Sequence, residues 1–173
     1  MLSDDAIPYG PGVNVRKNVR IPMRDGAHLG ADLYHPADMD GPLPVVMEYI
    51  PYRKDEVPPG DRFYGALPLH GYIVARVDVR GTGASEGVVV DEYSEQEQLD
   101  GYDAIEIIAR QPWVKNGHVG MIGISYSGIS QLYVASLTPP SLAAITPLSV
   151  IEDPWYQQWT GGVYNAGFTR QWL

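Results

Sequence analysis

The sequence predicts an α/β layered fold with a mostly parallel sheet entered through an antiparallel hairpin. Three observations carry that prediction. Two strand-like runs at the start flank an Asp-Gly turn signal, at Asp25-Gly26. Short runs rich in β-branched and aromatic residues then follow, as strands buried on both faces require. Segments of helical periodicity alternate with them, which is the pattern of strand–helix–strand crossovers.

Taken in order, residues 13–22 (VNVRKNVRIP) and 28–35 (HLGADLYH) read as the hairpin, joined through MRDGA. LPVVMEYIP (43–51) and YIVARVDV (72–79) read as buried parallel strands. From 94 to 111 the period changes. Ser94 and Glu97 are spaced as a capping box, and Leu99, Tyr102, Ile105, Ile108 and Ala109 recur at helical spacing. HVGMIG (118–123) is the next strand and YSGISQLYVAS (126–136) the next helix, stopped by Pro139-Pro140. SLAAITPLSVI (141–151) closes the series as a strand, with Pro147 pointing to a strand end or bulge. There is no internal repeat and no low-complexity linker.

At 173 residues, 45% of them hydrophobic, the chain is long enough for one domain with a sizeable core. It contains no cysteine, so disulfides, thiolate metal sites and a cysteine nucleophile are excluded together. The first residues, MLSDDAIPYGPG, lack the basic segment and apolar core of a secretory signal. No apolar run approaches the roughly 18 to 20 residues of a membrane span. A soluble, cytoplasmic protein without membrane partners is the expectation. The net charge of −9 and the scattered placement of Arg16, Lys17, Arg53, Lys54 and Arg80 argue against nucleic acid as a partner.

The chemistry points to HVGMIGISYSGISQLY, residues 118–133. An apolar strand breaks at Gly-Ile-Ser-Tyr-Ser-Gly and helical spacing follows at once, the pattern of a nucleophile elbow with Ser125 at its tip. Ser127 takes the last glycine place of G-x-S-x-G and Gly128 follows it. The backbone N–H of Tyr126 is the expected first oxyanion donor. The loop after the strand at 43–51 offers Tyr52, whose phenol is either a second donor or simply a half-buried aromatic. DVRGTGASEG (78–87) resembles a dinucleotide-binding turn only in part, because Glu86 stands where the third glycine belongs. Asp78, Arg80 and the glycines are read there as shaping a loop. His28, His35, His70 and His118 have no metal-ligand spacing and read as surface or loop residues. The aromatics from Trp155 to Trp172 are read as anchoring a cap or lining an acyl pocket.

MRDGAHLGADLYHP, YIPYRKDE, DVRGTGASEG, GYDAIEIIARQPWVKNGHVGMIGISYSG and WTGGVYNAGF together resemble the amino-terminal part of the Xaa-Pro dipeptidyl-peptidase and cocaine-esterase (CocE/NonD) family of serine hydrolases. G-x-S-Y-x-G is met by Gly123, Ser125, Tyr126 and Gly128. The resemblance implies an α/β-hydrolase fold truncated before its cap and last strands. Residues 1–12 would be an extension, 13–153 a partial hydrolase domain and 154–173 the start of the cap. It implies Ser125 as acylated nucleophile, with the Tyr126 amide and the Tyr52 hydroxyl forming the oxyanion hole. The substrate would be a small-molecule ester, an amide or a short peptide such as one ending in proline, with no metal and no organic cofactor.

In this fold the triad runs Ser, then Asp or Glu, then His. The 48 residues after Ser125 contain no histidine. His70 and His118 are placed near strand amino ends, on the wrong side of the sheet, and Asp153 is read as a turn residue before Pro154. A piece of a larger hydrolase, inactive alone, is therefore expected. A non-catalytic hydrolase-like binding module is the alternative, with a dinucleotide-binding oxidoreductase fragment behind it.

Overall fold

A computed structural model describes residues 4–56, 65–167 and 169–172. The strands are β1 (Ile7–Gly10), β2 (Val13–Pro22), β3 (His28–Pro36), β4 (Leu43–Ile50), β5 (Ile73–Asp78), β6 (Val114–Ile124) and β7 (Leu142–Leu148). The helices are α1 (Ala66–Leu69), α2 (Glu95–Ala109), α3 (Tyr126–Ser136), α4 (Pro154–Gln158) and α5 (Thr169–Trp172), with a 3-10 turn at Thr160–Gly162. The strands form one sheet in the order β1-β2-β3-β5-β4-β6-β7.

The hairpin forms as its turn chemistry dictates. Gly26 sits at φ 90°, and the Asp25 carboxylate accepts from the Ala27 amide at 3.1 Å. β3 pairs antiparallel with β5, while β5, β4, β6 and β7 run parallel. The chain leaves β4 to one side to form β5, then crosses back to place β6 on the other side. Strand order thus reverses at β4, and a crevice opens at the carboxyl ends of such strands. Because β4 and β6 are neighbours, with Met47 opposite Met121, the loop after β4 and the turn after β6 meet there.

Alternation sorts the strands into two faces. On one, Val45, Met47, Tyr49, Val119 and Met121 pack under Ala104, Ile105 and Ile108 of α2 and Val134 of α3. Gly101 lets the two helices close: a Cβ there would lie 2.5 Å from Val134 Cγ2. On the other, Val13, Val15, Tyr34 and Val74 pack with Leu67 of α1. Further along that second face, a hollow of about 570 Å³ under β4, β6 and β7 opens to solvent beside Val46, Ile122, Ala144 and Thr146.

Several expectations are corrected. Residues 7–10 join the sheet as β1, which a Pro-Tyr-Gly-Pro context conceals. α1 is a single turn too short to carry a periodic signal. β6 begins at Val114, because the strand continues through Asn116 and Gly117, both at positive φ, where the composition reads as a turn. α2 buries Glu97, Asp100 and Gly101 in its first turns while Leu99 and Tyr102 are half-exposed, so its inner face is more polar than apolar spacing suggests. Only half of the capping box is present: Ser94 Oγ accepts from the Glu97 amide at 3.3 Å, and the Glu97 carboxyl is used elsewhere. His35 is a buried β3 residue, not a surface one, with Nδ1 2.9 Å from the Pro36 carbonyl. β7 ends at Leu148 and lies at the sheet edge, where Pro147 costs no ladder bond.

Candidate active site

Ser125 is the single residue between the end of β6 and the start of α3, with φ 58° and ψ −121°. That backbone region strongly disfavours a residue with a Cβ, at a cost of order 1–3 kcal/mol. The turn is held by its surroundings. The Ser125 amide donates to the Leu148 carbonyl at 2.9 Å, and the Ser125 carbonyl accepts from the Gly128 and Ile129 amides at 2.9 and 2.8 Å. A Cβ on Gly123 would lie 2.5 Å from the Ser127 carbonyl oxygen, and one on Gly128 would lie 2.8 Å from the Leu148 oxygen. These contacts explain why glycine stands at 128 and serine is tolerated at 127: the tight approach to β7 falls on Gly128. The side chain of Ser125 remains exposed.

Helix geometry leaves the first amides of α3 without intrahelical acceptors, and the Tyr126 N–H is the first of them. The Tyr126 ring is buried, stacked on Tyr93 at 4.2 Å between centroids. Tyr93 in turn stacks on Tyr133 at 5.2 Å. Tyr52, two residues past β4, meets the Tyr126 ring edge-on at 6.4 Å, so both expected oxyanion donors belong to one aromatic cluster. The Tyr126 hydroxyl donates to Glu97 Oε2 at 2.8 Å and accepts from the Tyr93 amide at 3.2 Å. The Tyr49 hydroxyl donates to the Glu97 carbonyl at 3.3 Å. Burial pushes the Glu97 carboxyl up to about 7, although the Tyr126 hydrogen bond opposes that rise. Burial, with Glu97 alongside, likewise raises the Tyr126 phenol. Glu97 is the site residue that sequence reasoning missed. Its cap position supplied a sufficient local explanation, and nothing local reveals where its carboxyl turns.

Beside this cluster, a crevice of about 380 Å³ is lined by Pro51, Val79, Thr82, Val89, Val90 and Tyr126, with Asp91 and Glu92 adding carboxylates. The loop after β5 that forms one wall is built on Asp78 and Arg80. Asp78 Oδ2 accepts from the Ala84 amide at 2.8 Å, and a Cβ on Gly83 would fall 2.1 Å from that oxygen. Arg80 holds Asp100 with two bonds of 2.6 and 2.7 Å and reaches Asp25 at 2.9 Å. The space of a dinucleotide turn is thus occupied by the protein's own carboxylate, and Glu86 accepts from the His28 amide at 2.9 Å.

Among the described residues, no histidine or carboxylate is hydrogen-bonded to the Ser125 hydroxyl, and none form a group of three metal-ligating side chains. His118 lies on β6 seven residues before Ser125, roughly 20 Å away along an extended strand. His70 follows α1 ahead of β5, and His28 faces Glu86 at 3.3 Å. Asp153 caps α4, accepting from the Tyr156 amide at 3.3 Å. Trp155 stacks on Trp159 at 5.2 Å and Trp159 meets Tyr164 tilted at 5.0 Å, with Trp155 largely exposed, while Phe168 lies outside the described residues. No helix among the described residues is long and apolar enough to cross a membrane.

The profile of the X-Pro dipeptidyl-peptidases (S15 family) matches residues 25–173. The chain belongs to the S15 family. Within it, 150 residues are 38% identical to the cocaine esterase of Rhodococcus sp. (strain MB1 Bresler), covering 83% of this chain and 25% of that protein. The fold superposes on a CocE/NonD family hydrolase from Staphylococcus aureus with a TM-score of 0.74 at 30% identity, over 92% of this chain and 34% of the other. It also superposes on an α-amino acid ester hydrolase with a TM-score of 0.71 at 30% identity, over 86% and 27% of the two chains. These neighbours share the α/β fold predicted from the sequence. The chain spans about a quarter of the length of the curated relatives it matches.

Proposed function

We propose that this S15 chain is the nucleophile-bearing part of a longer serine hydrolase that cleaves ester or amide bonds through an acyl-enzyme on Ser125. The observation that carries the reading is the backbone of Ser125 itself. A serine at φ 58° between a strand and a helix, held between glycines with no room for a Cβ, costs free energy that a plain turn would not spend. Its return is an exposed hydroxyl at the amino end of α3.

In the proposed reaction, Ser125 Oγ attacks the substrate carbonyl carbon while its proton passes to a histidine base. The carbonyl oxygen takes up negative charge and receives hydrogen bonds from the Tyr126 amide and the Tyr52 hydroxyl. Collapse of the tetrahedral species expels the alcohol or amine, protonated by the same base, and water then releases the acid. All four histidines precede Ser125, and the base of this fold follows its nucleophile. Base and acid are therefore assigned to a further part of the protein, in keeping with the quarter of its relatives' length that this chain covers. The crevice at Val79, Val89 and Val90 offers an apolar wall for the substrate. No metal or organic cofactor takes part in this scheme.

The test is labelling of the full-length protein with a fluorophosphonate, together with hydrolysis of p-nitrophenyl butyrate. Ser125→Ala is expected to abolish labelling and to lower turnover by a factor on the order of 10⁶. Unchanged labelling and turnover in that variant would refute the assignment.

A further inference from the structure

We propose that Lys54 is a positioning residue that sets the Tyr52 hydroxyl in the oxyanion hole. The inference rests on the proposed role of Tyr52. Lys54 follows Tyr52 by two residues, yet it is 1% exposed in a loop at the molecular surface. Each of its polar groups is tied to the sheet, the backbone to β5 and the ammonium to β2 and β3. Its amide donates to Asp78 Oδ1 at 2.7 Å, at the end of β5. Its carbonyl accepts from Arg76 Nη1 at 2.8 Å, and Arg76 is itself fixed to Glu48 of β4 at 2.8 Å. Its ammonium donates to Asn18 Oδ1 at 2.7 Å and to Asp55 at 2.9 Å, and pairs with Asp32 of β3 at 3.1 Å.

The sheet is built to receive this side chain. β2 is irregular between Arg16 and Val19, and Asn18 at φ 53° leaves the ladder there. A bulge of that kind re-aims a side chain. Here it turns Asn18 onto Lys54, while the Asn18 amide donates to Asp32 Oδ1 at 2.9 Å. Lys17, on the same bulge, reaches Asp55 at 2.6 Å and so shares the lysine's own partner. Burying an ammonium is costly unless it is paired and hydrogen-bonded, and a surface loop can close without one. The cost has a local consequence: on the carboxyl side of Tyr52 the Lys54 backbone is held by Asp78 and Arg76 of β5, with Glu48 of β4 behind Arg76, while its ammonium is held by Asn18 of β2 and Asp32 of β3. On its other side the Tyr52 ring abuts Tyr126, whose amide is the companion donor. A side-chain hydroxyl replaces a backbone amide as oxyanion donor only if its stem is fixed, because donors must be in place before charge develops. Asp78 couples the same point to the crevice wall, holding Lys54 with one oxygen and Ala84 with the other.

The experiment is a double-mutant cycle on the full-length protein with p-nitrophenyl butyrate, reading kcat and KM separately. Tyr52→Phe is expected to lower kcat by about 10²-fold or more, the effect of losing one oxyanion donor. Lys54→Met is expected to lower kcat by about 10- to 100-fold through misplacement, with KM within about twofold. In the Tyr52→Phe background, Lys54→Met is expected to have no further effect on kcat. Asn18→Ala, which removes a neutral acceptor and leaves the charges intact, is expected to give a smaller fall that also vanishes in that background; it carries the test if Lys54→Met does not fold. Effects that multiply in the double variant, or an unchanged kcat in the folded Lys54 or Asn18 variants beside an impaired Tyr52→Phe, overturn the inference alone. Unchanged turnover in Tyr52→Phe, or no turnover by the unsubstituted protein, overturns the underlying reading and the inference with it.

Discussion

Replacing Glu97 by glutamine is expected to make the protein more stable at neutral and alkaline pH and to leave it unchanged in acid. The carboxyl is 5% exposed beneath the Ser125 turn and is pushed up to about 7 from 4.5. The groups facing it are the Tyr126 hydroxyl of α3, the backbone amide of Tyr93, Tyr49 of β4, and the carboxylates of Asp100 and Glu92. Since the folded state holds the proton more tightly than the unfolded chain, the contribution of Glu97 is fully present below about 4.5. It is lost as pH rises through about 7. At about 1.4 kcal/mol for each tenfold difference in proton affinity, the loss totals about 3 kcal/mol at most. Glutamine is neutral throughout and keeps an acceptor for Tyr126. The assay is urea unfolding of parent and variant across about pH 4 to 8, reading the difference between them so that other titrating groups cancel. The difference should be near zero at the acid end and should grow to about 2–3 kcal/mol in favour of glutamine. A difference that is flat with pH, or that favours glutamate at pH 8, would show that Glu97 does not carry its proton in the fold.

Other expectations follow from the same geometry. Ser125→Gly should be more stable than Ser125→Ala by about 1–3 kcal/mol in thermal unfolding, because glycine alone relieves the positive φ; equal stabilities would mean the turn holds no strain. Gly128→Ala should cost about 1–3 kcal/mol and slow fluorophosphonate labelling, since its Cβ meets the Leu148 oxygen and Val150; a neutral result would show that β7 yields easily. Arg80→Met should destabilise by about 3–5 kcal/mol, because it strands the fully buried Asp100, as urea unfolding would report. Arg53→Met, which breaks an exposed pair with Glu56, should change stability by less than about 1 kcal/mol in the same assay.

The amino-acid sequence by itself determined the features whose causes are local. The Asp25-Gly26 turn between two strand-like runs, the Ser94 cap of α2 and the Gly-x-Ser-Tyr-x-Gly break each depend on neighbours within a few residues. That was enough for the layered α/β class and for Ser125 at a strand-to-helix turn. Where the local signal is ambiguous it hides the element: Lys-Asn-Gly conceals the start of β6, and α1 is too short to show a period. The tertiary structure decided everything that depends on which strands become neighbours. Placing β6 beside β4 brings the Tyr52 loop to the Ser125 turn, and placing β5 between β3 and β4 makes Asp78 a shared anchor for two loops. It also decided the fate of the buried charges. Glu97 leaves its cap for Tyr126, and Lys54 gathers Asn18, Asp32, Asp55 and Asp78 from segments up to 36 residues before it and 24 after it. A buried charge is stable only with partners, and those partners adjoin it only once the strands are paired, so composition and spacing carry no trace of the choice.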